Sequence, residues 1–132
     1  MFKALLRYRN QRVRIQVDDH FDDVIRISTV AVCNGQYFGG GMRVAPQAQP
    51  DDGLFEVVIV GDISKMELLR RVNAVYSGTH LEMAQVRVAR GRRVVATPVD
   101  GEEPVLIDCD GEVAGCLPAV IEMQPGALCV QV

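Results

Sequence analysis

Apolar residues recur at every second position through most of the chain. In "VRIQV", Val13, Ile15 and Val17 alternate with Arg14 and Gln16. In "VIRISTVAV", the same alternation puts Ile25, Ile27 and Thr29 on one face. The pattern returns in "LFEVVIV", "VRVAR", "RRVVAT", "PVLIDC", "AVIEM" and "ALCVQV", each short and rich in β-branched residues. A period of two points alternate side chains to opposite faces, which is the signature of a strand. Turn chemistry separates the runs at Asp52-Gly53, Arg90-Gly91, Asp100-Gly101, Asp110-Gly111 and Pro125-Gly126. Many short strands at regular spacing predict a mainly β fold, a two-layer β-sandwich. The last two strands, around "QPGA", read as a terminal hairpin.

One segment departs from this period. "SKMELLRRVNAVYSG" places Leu68, Leu69, Val72, Val75 and Tyr76 on one helical face. Ser64 followed by Glu67 is a capping-box signature, and Gly78 stands where a helix ends. The spacing predicts one α-helix over about 64–77, roughly three to four turns long. Its Leu/Val stripe is expected to join the core rather than form a binding groove.

Composition bounds the function. The chain has 132 residues, 48% hydrophobic and 23% charged, with no internal repeat or low-complexity tract. That suits one domain with its own core, 1–132. No apolar run approaches the ~20 residues of a membrane span. The charged start "MFKALLRYRNQRVR" does not suit a secretory signal, so the expected location is cytoplasmic. A net charge of −3 argues against a nucleic-acid partner. The charge is uneven: five bases and no acid from Lys3 to Arg14, then four acids around His20 in "DDHFDD". Both runs read first as solvated surface, and second as a basic end near anionic lipid headgroups. Cys33, Cys109, Cys116 and Cys129 form no CxxC pair, and with His20 and His80 they complete no zinc module. Cys33, Cys109 and Cys129 lie in apolar strand patterns and are expected to be buried free thiols.

Candidate chemistry lies in three places. "NGQYFGGGM", Asn34 to Met42, is glycine-rich, but no Lys-Ser/Thr follows Gly41, which excludes a Walker A loop. Pro46 arrives where the helix of a dinucleotide fingerprint would continue. Gly39, Gly40 and Gly41 therefore mark a sheet corner or a ligand-contacting loop. In "QPDDGLFEV", a carboxylate at the Pro50-Asp51-Asp52-Gly53 turn either caps its own turn or holds a hard cation with neighbouring carbonyls. In "LIDCDGEVAG", Asp108, Asp110 and Glu112 crowd together. An EF-hand loop is excluded there, because Val113 and Ala119 occupy the positions that need Gly and Glu. The acidic turn is either a plain hairpin or a site where neighbouring charge makes one carboxylate a proton acceptor.

Three motifs occur together and in order: "NGQYFGGGMRVAPQAQPDDGLFEV", then "VYSGTH" after the helix, then "VLIDCDGE". From about Val13 onward the chain resembles the second domain of bacterial soluble diacylglycerol kinases and sphingosine kinase-like lipid kinases. That family is similar to NAD kinases in architecture, with an α/β domain holding ATP through Gly-Gly-Asp-Gly-Thr and a β-rich domain packed against it. This sequence contains no Gly-Gly-Asp-Gly-Thr. The resemblance therefore implies a β-sandwich whose partner is a missing N-terminal ATP-binding domain, with the active site in the cleft between them.

The resemblance also implies roles. Glu112 matches the family's proton acceptor, acting on a lipid hydroxyl, and Asp110 would support the turn or the metal-water network. Asp52 matches the acid that holds a structural Mg²⁺, with the carbonyls of Gln49 and Leu54 at the matching offsets. Asn34 and Gly39, Gly40 and Gly41 would line the substrate cleft. His80 matches a Gly-x-His whose expected role is packing or a turn. The implied partners are ATP, a lipid alcohol and, transiently, a membrane surface; a bared cleft face could also support a homodimer. Two rival readings are a non-catalytic lipid- or partner-binding module and a kinase for another hydroxyl, such as that of NAD.

Overall fold

The computed structural model describes residues 9–37, 43–99, 103–109 and 112–126. Its strands are β1 (Gln11–Val17), β2 (Phe21–Ile27), β3 (Thr29–Cys33), β4 (Phe55–Val60), β5 (Val86–Gly91), β6 (Arg93–Pro98), β7 (Leu106–Cys109), β8 (Glu112–Cys116) and β9 (Ala119–Glu122). They form three antiparallel sheets, in the orders β2-β1-β6-β9, β3-β4-β5 and β7-β8. The terminal-hairpin strand "ALCVQV" lies outside the described residues beyond Gly126.

The period of two explains how the first two sheets meet. Val13, Ile15 and Val17 of β1 and Val94 of β6 face Val57 and Ile59 of β4 and Ala89 of β5 in one buried cluster. Alternation on β4 sends Val58 to the opposite face, where it packs with Ala31, Cys33, Ala45, Ala48 and Val86. The three-stranded sheet is thus covered twice, by the other sheet and by the chain segment around Ala45–Ala48. This is why β4 reads as consecutive apolar residues from Val57 to Val60, after Glu56, rather than as an alternating run. Arg87 ties the sheets at their margin, reaching Asp23 at 2.8 Å and lying over the Phe21 ring at 4.9 Å.

"VIRISTVAV" does not form one strand. The chain leaves the four-stranded sheet at Ile27 and enters the three-stranded sheet at Thr29. Ser28 is the pivot, its amide donating to the carbonyls of Val60 and Gly61 at 2.9 and 3.2 Å. Thr29 is therefore exposed instead of sharing the buried face of Ile27.

The helix lies where the pattern put it but is broken at Arg71 into α1 (Lys65–Arg70) and α2 (Val72–Ser77). Ser64 caps it, accepting from the Glu67 amide, and Gly78 ends it in the left-handed region at φ 78°. A 3₁₀ turn, Thr79–Glu82, follows. The apolar stripe is not simply core: Leu69 is 48% exposed and Tyr76 50%. The expectation for cysteine holds for Cys33, which is buried; Cys109, on the small β7-β8 sheet, is exposed, as is Cys116. Cys129 lies outside the described residues. Among the described residues no helix is long and apolar enough to cross a membrane.

Candidate functional site

The antiparallel pairing of β3 and β4 sets Cys33 opposite Glu56. Asn34, one step beyond β3, and the turn that leads into β4 therefore come to the same end of the sheet. Asn34 is exposed there. Gly39, Gly40 and Gly41 lie outside the described residues.

The turn before β4 is built locally. The Asp52 amide donates to the Gln49 carbonyl at 3.4 Å, and Asp52 Oδ1 accepts from the Leu54 amide at 2.9 Å. Gly53 between them takes φ 71°, a conformation that disfavours any side chain. Its bare Cα faces Pro125, 3.6 Å from where a Cβ would stand. The Gln49 carbonyl, the exposed Asp52 carboxylate and the Leu54 carbonyl thus belong to one tight turn. An all-oxygen donor set of one carboxylate and two carbonyls suits a hard divalent cation. Among the described residues no cluster of three His, Cys, Asp or Glu side chains could hold a metal. Any cation here would therefore lean on the backbone carbonyls.

Residues 43–49 pass over the three-stranded sheet as a strap leading to that turn. The Ala45 amide donates to the Gln36 carbonyl at 3.1 Å, and Gln36 Nε2 donates to the Ala48 carbonyl at 3.3 Å. Arg43 Nε donates to Gln36 Oε1 at 3.3 Å. Arg90 reaches the Gln47 carbonyl at 3.3 Å and its Oε1 at 3.1 Å. From below the first residues of the strap, His80 Nε2 donates to the Val44 carbonyl at 2.6 Å.

Glu56 was not legible as a site residue in the sequence, yet it is the buried acid of this region. Only 2% of it is exposed, and among the described residues neither carboxylate oxygen has a hydrogen-bond donor. Arg90 stands 3.6 Å from Oε2. Burial pushes the Glu56 carboxyl above its ordinary range, Arg90 pulls it back, and the charge of nearby Asp52 adds to the rise. The available signal was a lone Glu amid the β-branched residues of "LFEVVIV", on the same strand face as Val58.

The third candidate region lies on the separate β7-β8 sheet. Glu112 opens β8 and pairs with Cys109, at the tip of the β7-β8 hairpin. A register shift between Ile107 and Asp108 bends the strand just before that tip. The base of the hairpin joins the main body, with the Leu117 amide donating to the Val105 carbonyl at 2.9 Å and both side chains against the central cluster. Asp110 lies outside the described residues.

The comparisons with known proteins agree over the length of the chain. The family described as the YegS C-terminal NAD kinase beta sandwich-like domain matches residues 1–132. A diacylglycerol kinase of Mycobacterium tuberculosis is 30% identical over 129 residues, covering 97% of this chain and 40% of that protein. A diacylglycerol kinase of Bacillus subtilis is 27% identical over 111 residues, covering 83% of this chain and 35% of that protein. A solved diacylglycerol kinase structure from Bacillus anthracis superposes with a TM-score of 0.65 at 23% identity, covering 95% of this chain and 42% of that one. The chain thus spans about 40% of the length of these relatives.

Proposed function

Because the chain belongs to the YegS C-terminal NAD kinase beta sandwich-like family, we propose that it is the β-rich domain of an ATP-dependent lipid kinase. The acceptor is a lipid hydroxyl of the diacylglycerol kind. The observation that carries the reading is the family match over all 132 residues, with relatives of 30% identity that are diacylglycerol kinases. The built oxygen turn at Asp52 supports it. In this reading ATP is held mainly by another domain of the whole enzyme, and residues 1–132 alone are expected to transfer no phosphoryl group.

In this reading Glu112 accepts the proton of the lipid hydroxyl. The hydroxyl oxygen bonds to the γ-phosphorus of ATP as the bond from that phosphorus to the bridging oxygen breaks, and ADP leaves. In a loose phosphoryl transfer the proton moves late, so Glu112 serves by orienting the hydroxyl as much as by basicity. Asp110, two residues earlier in the sequence, supports Glu112. The Gln49 carbonyl, Asp52 and the Leu54 carbonyl would hold a structural Mg²⁺ at the end of the sheet that carries Asn34, and Asn34 with Gly39, Gly40 and Gly41 would contact the substrate. The work takes place in the cytoplasm, at a membrane surface.

The test uses an enzyme in which this chain is joined to its ATP-binding domain. Glu112→Gln should lower kcat roughly 10²–10⁴-fold and leave the KM for ATP nearly unchanged. Unchanged kcat would remove Glu112 from the mechanism. Phosphorylation of NAD in place of diacylglycerol by the same enzyme would move the reading to another acceptor.

A further inference from the structure

His80 is 3% exposed, and among the described residues its ring has one hydrogen-bond partner, the carbonyl of Val44, at 2.6 Å. A carbonyl can only accept, so the hydrogen sits on Nε2, and Nδ1 is left as a buried atom without a partner among the described residues. A polar ring buried at that cost needs a purpose beyond filling space. The neighbouring sequence points to the same contact. Gly78, at φ 78°, lies under the strap, and a Cβ there would stand 3.3 Å from Arg43 Cδ and 3.4 Å from Pro46 Cβ. "SGTH" therefore supplies both a bare floor and a hook for residues 43–46.

We infer that His80 is a positioning residue for the Asp52 turn, acting through the strap it anchors at Val44. This deepens the proposed function, since it rests on the reading of that turn as a cation site. The chain of contacts is continuous. The Val44 carbonyl is fixed by His80, and the Ala45 amide is fixed by Gln36. The Ala48 amide is held by the Ala45 carbonyl, the Ala48 carbonyl by Gln36, and Gln47 by Arg90. The next residue, Gln49, presents the carbonyl that the Asp52 amide already holds. Among the described residues, no other side chain from the sheet or the helical layer reaches a main-chain carbonyl of residues 43–46, so releasing Val44 loosens that part of the strap.

The experiment uses this chain with Mn²⁺ as the probe and reads two properties. Mn²⁺ affinity is measured by electron paramagnetic resonance, and amide hydrogen exchange is followed by mass spectrometry. The variants are His80→Phe, which removes the donor, and His80→Gln, whose amide nitrogen can stand near Nε2. Val94→Ala, in the other sheet, serves as a control of lowered overall stability. His80→Asn, which falls short of Val44, replaces His80→Phe if that variant does not fold.

The donor-less variant should exchange the amides of Ala45, Ala48 and Leu54 at least tenfold faster, with β1 and β6 unchanged, and lose at least fivefold in Mn²⁺ affinity. His80→Gln should restore both, and Val94→Ala should leave Mn²⁺ affinity intact. Wild-type affinity and exchange at the strap in the donor-less variant would overturn the inference. So would a uniform rise in exchange matching that of Val94→Ala. A wild-type chain that holds no Mn²⁺ overturns the cation reading of the turn, and the exchange result then decides on the His80 anchor alone.

Discussion

Asp18 shows how much a single residue's role depends on where the fold takes it. In the sequence it is the first acid of a charged run; in the structure it is a connector. Its backbone takes φ 47°, and its carboxylate accepts from the amides of Arg92 and Arg93 at 2.9–3.2 Å. Gly91 makes room for this, since a Cβ there would stand 2.5 Å from Val17 Cγ1 and 2.6 Å from Asp18 Oδ2. The two backbone amides hold the Asp18 carboxyl below its ordinary range. A carboxyl depressed in the folded state contributes stability above its unfolded pKa, and that contribution is lost as pH falls through the folded value. Asp18→Asn should cost about 1 kcal/mol at neutral pH, a charge-assisted hydrogen bond discounted for solvent exposure. The cost should shrink as pH drops below the carboxylate range, and urea midpoints from pH 7 down to pH 3 check this. A penalty independent of pH would mean that shape, not charge, makes the connection. The other acids of the run had a simpler fate. Asp22 accepts both Nε and Nη2 of Arg14 at 2.9 and 2.7 Å, and Asp23 pairs with Arg87, so the run is largely the solvated surface its composition suggested.

Elements were legible where local chemistry decides them. Ser64 and Gly78 marked the helix ends because a side-chain cap and a left-handed glycine act within a few residues. The Pro50-Asp51-Asp52-Gly53 turn was visible for the same reason. The break at Arg71 and the exposure of Leu69 were not, because both depend on what the helix packs against. The Glu56 carboxylate was hidden likewise: nothing in "LFEVVIV" says that a strap will cover that face. The helix gives a direct comparison of the two kinds of signal. Ser64→Ala removes the acceptor of the Glu67 amide and should cost about 1 kcal/mol. Leu69→Ala should stay within about 0.5 kcal/mol, as a surface change does. Equilibrium urea unfolding separates the two, and a loss of 2 kcal/mol or more at Leu69 would return the stripe to the core.

At the scale of the whole molecule, β4 is the wall shared by two clusters, and this sets how the domain opens. Ile59 packs into the cluster between the two larger sheets, while Cys33, on the neighbouring strand, lies in the cluster beneath the strap. Burial, reinforced by the charge of Glu56, pushes the Cys33 thiol up to about 12, so the folded chain offers almost no thiolate there. Cys109 and Cys116 are exposed and should react with a disulfide reagent at once, which makes them an internal standard. Cys33 can react only when the structure opens. If the two clusters open together, its labelling rate reports the population of the unfolded chain. Ile59→Ala should cost 2–5 kcal/mol, as truncation at a fully buried site does. It should then speed Cys33 labelling roughly 30-fold to several thousand-fold, a factor of ten for each ~1.4 kcal/mol. The acceleration should equal the stability lost in urea unfolding of the same variant. Faster labelling of Cys33 in the wild type than its global stability permits, with no change in Ile59→Ala, would show that the strap lifts while the sandwich stays folded. The Asp52 turn would then sit on a movable edge of the domain rather than on its rigid core.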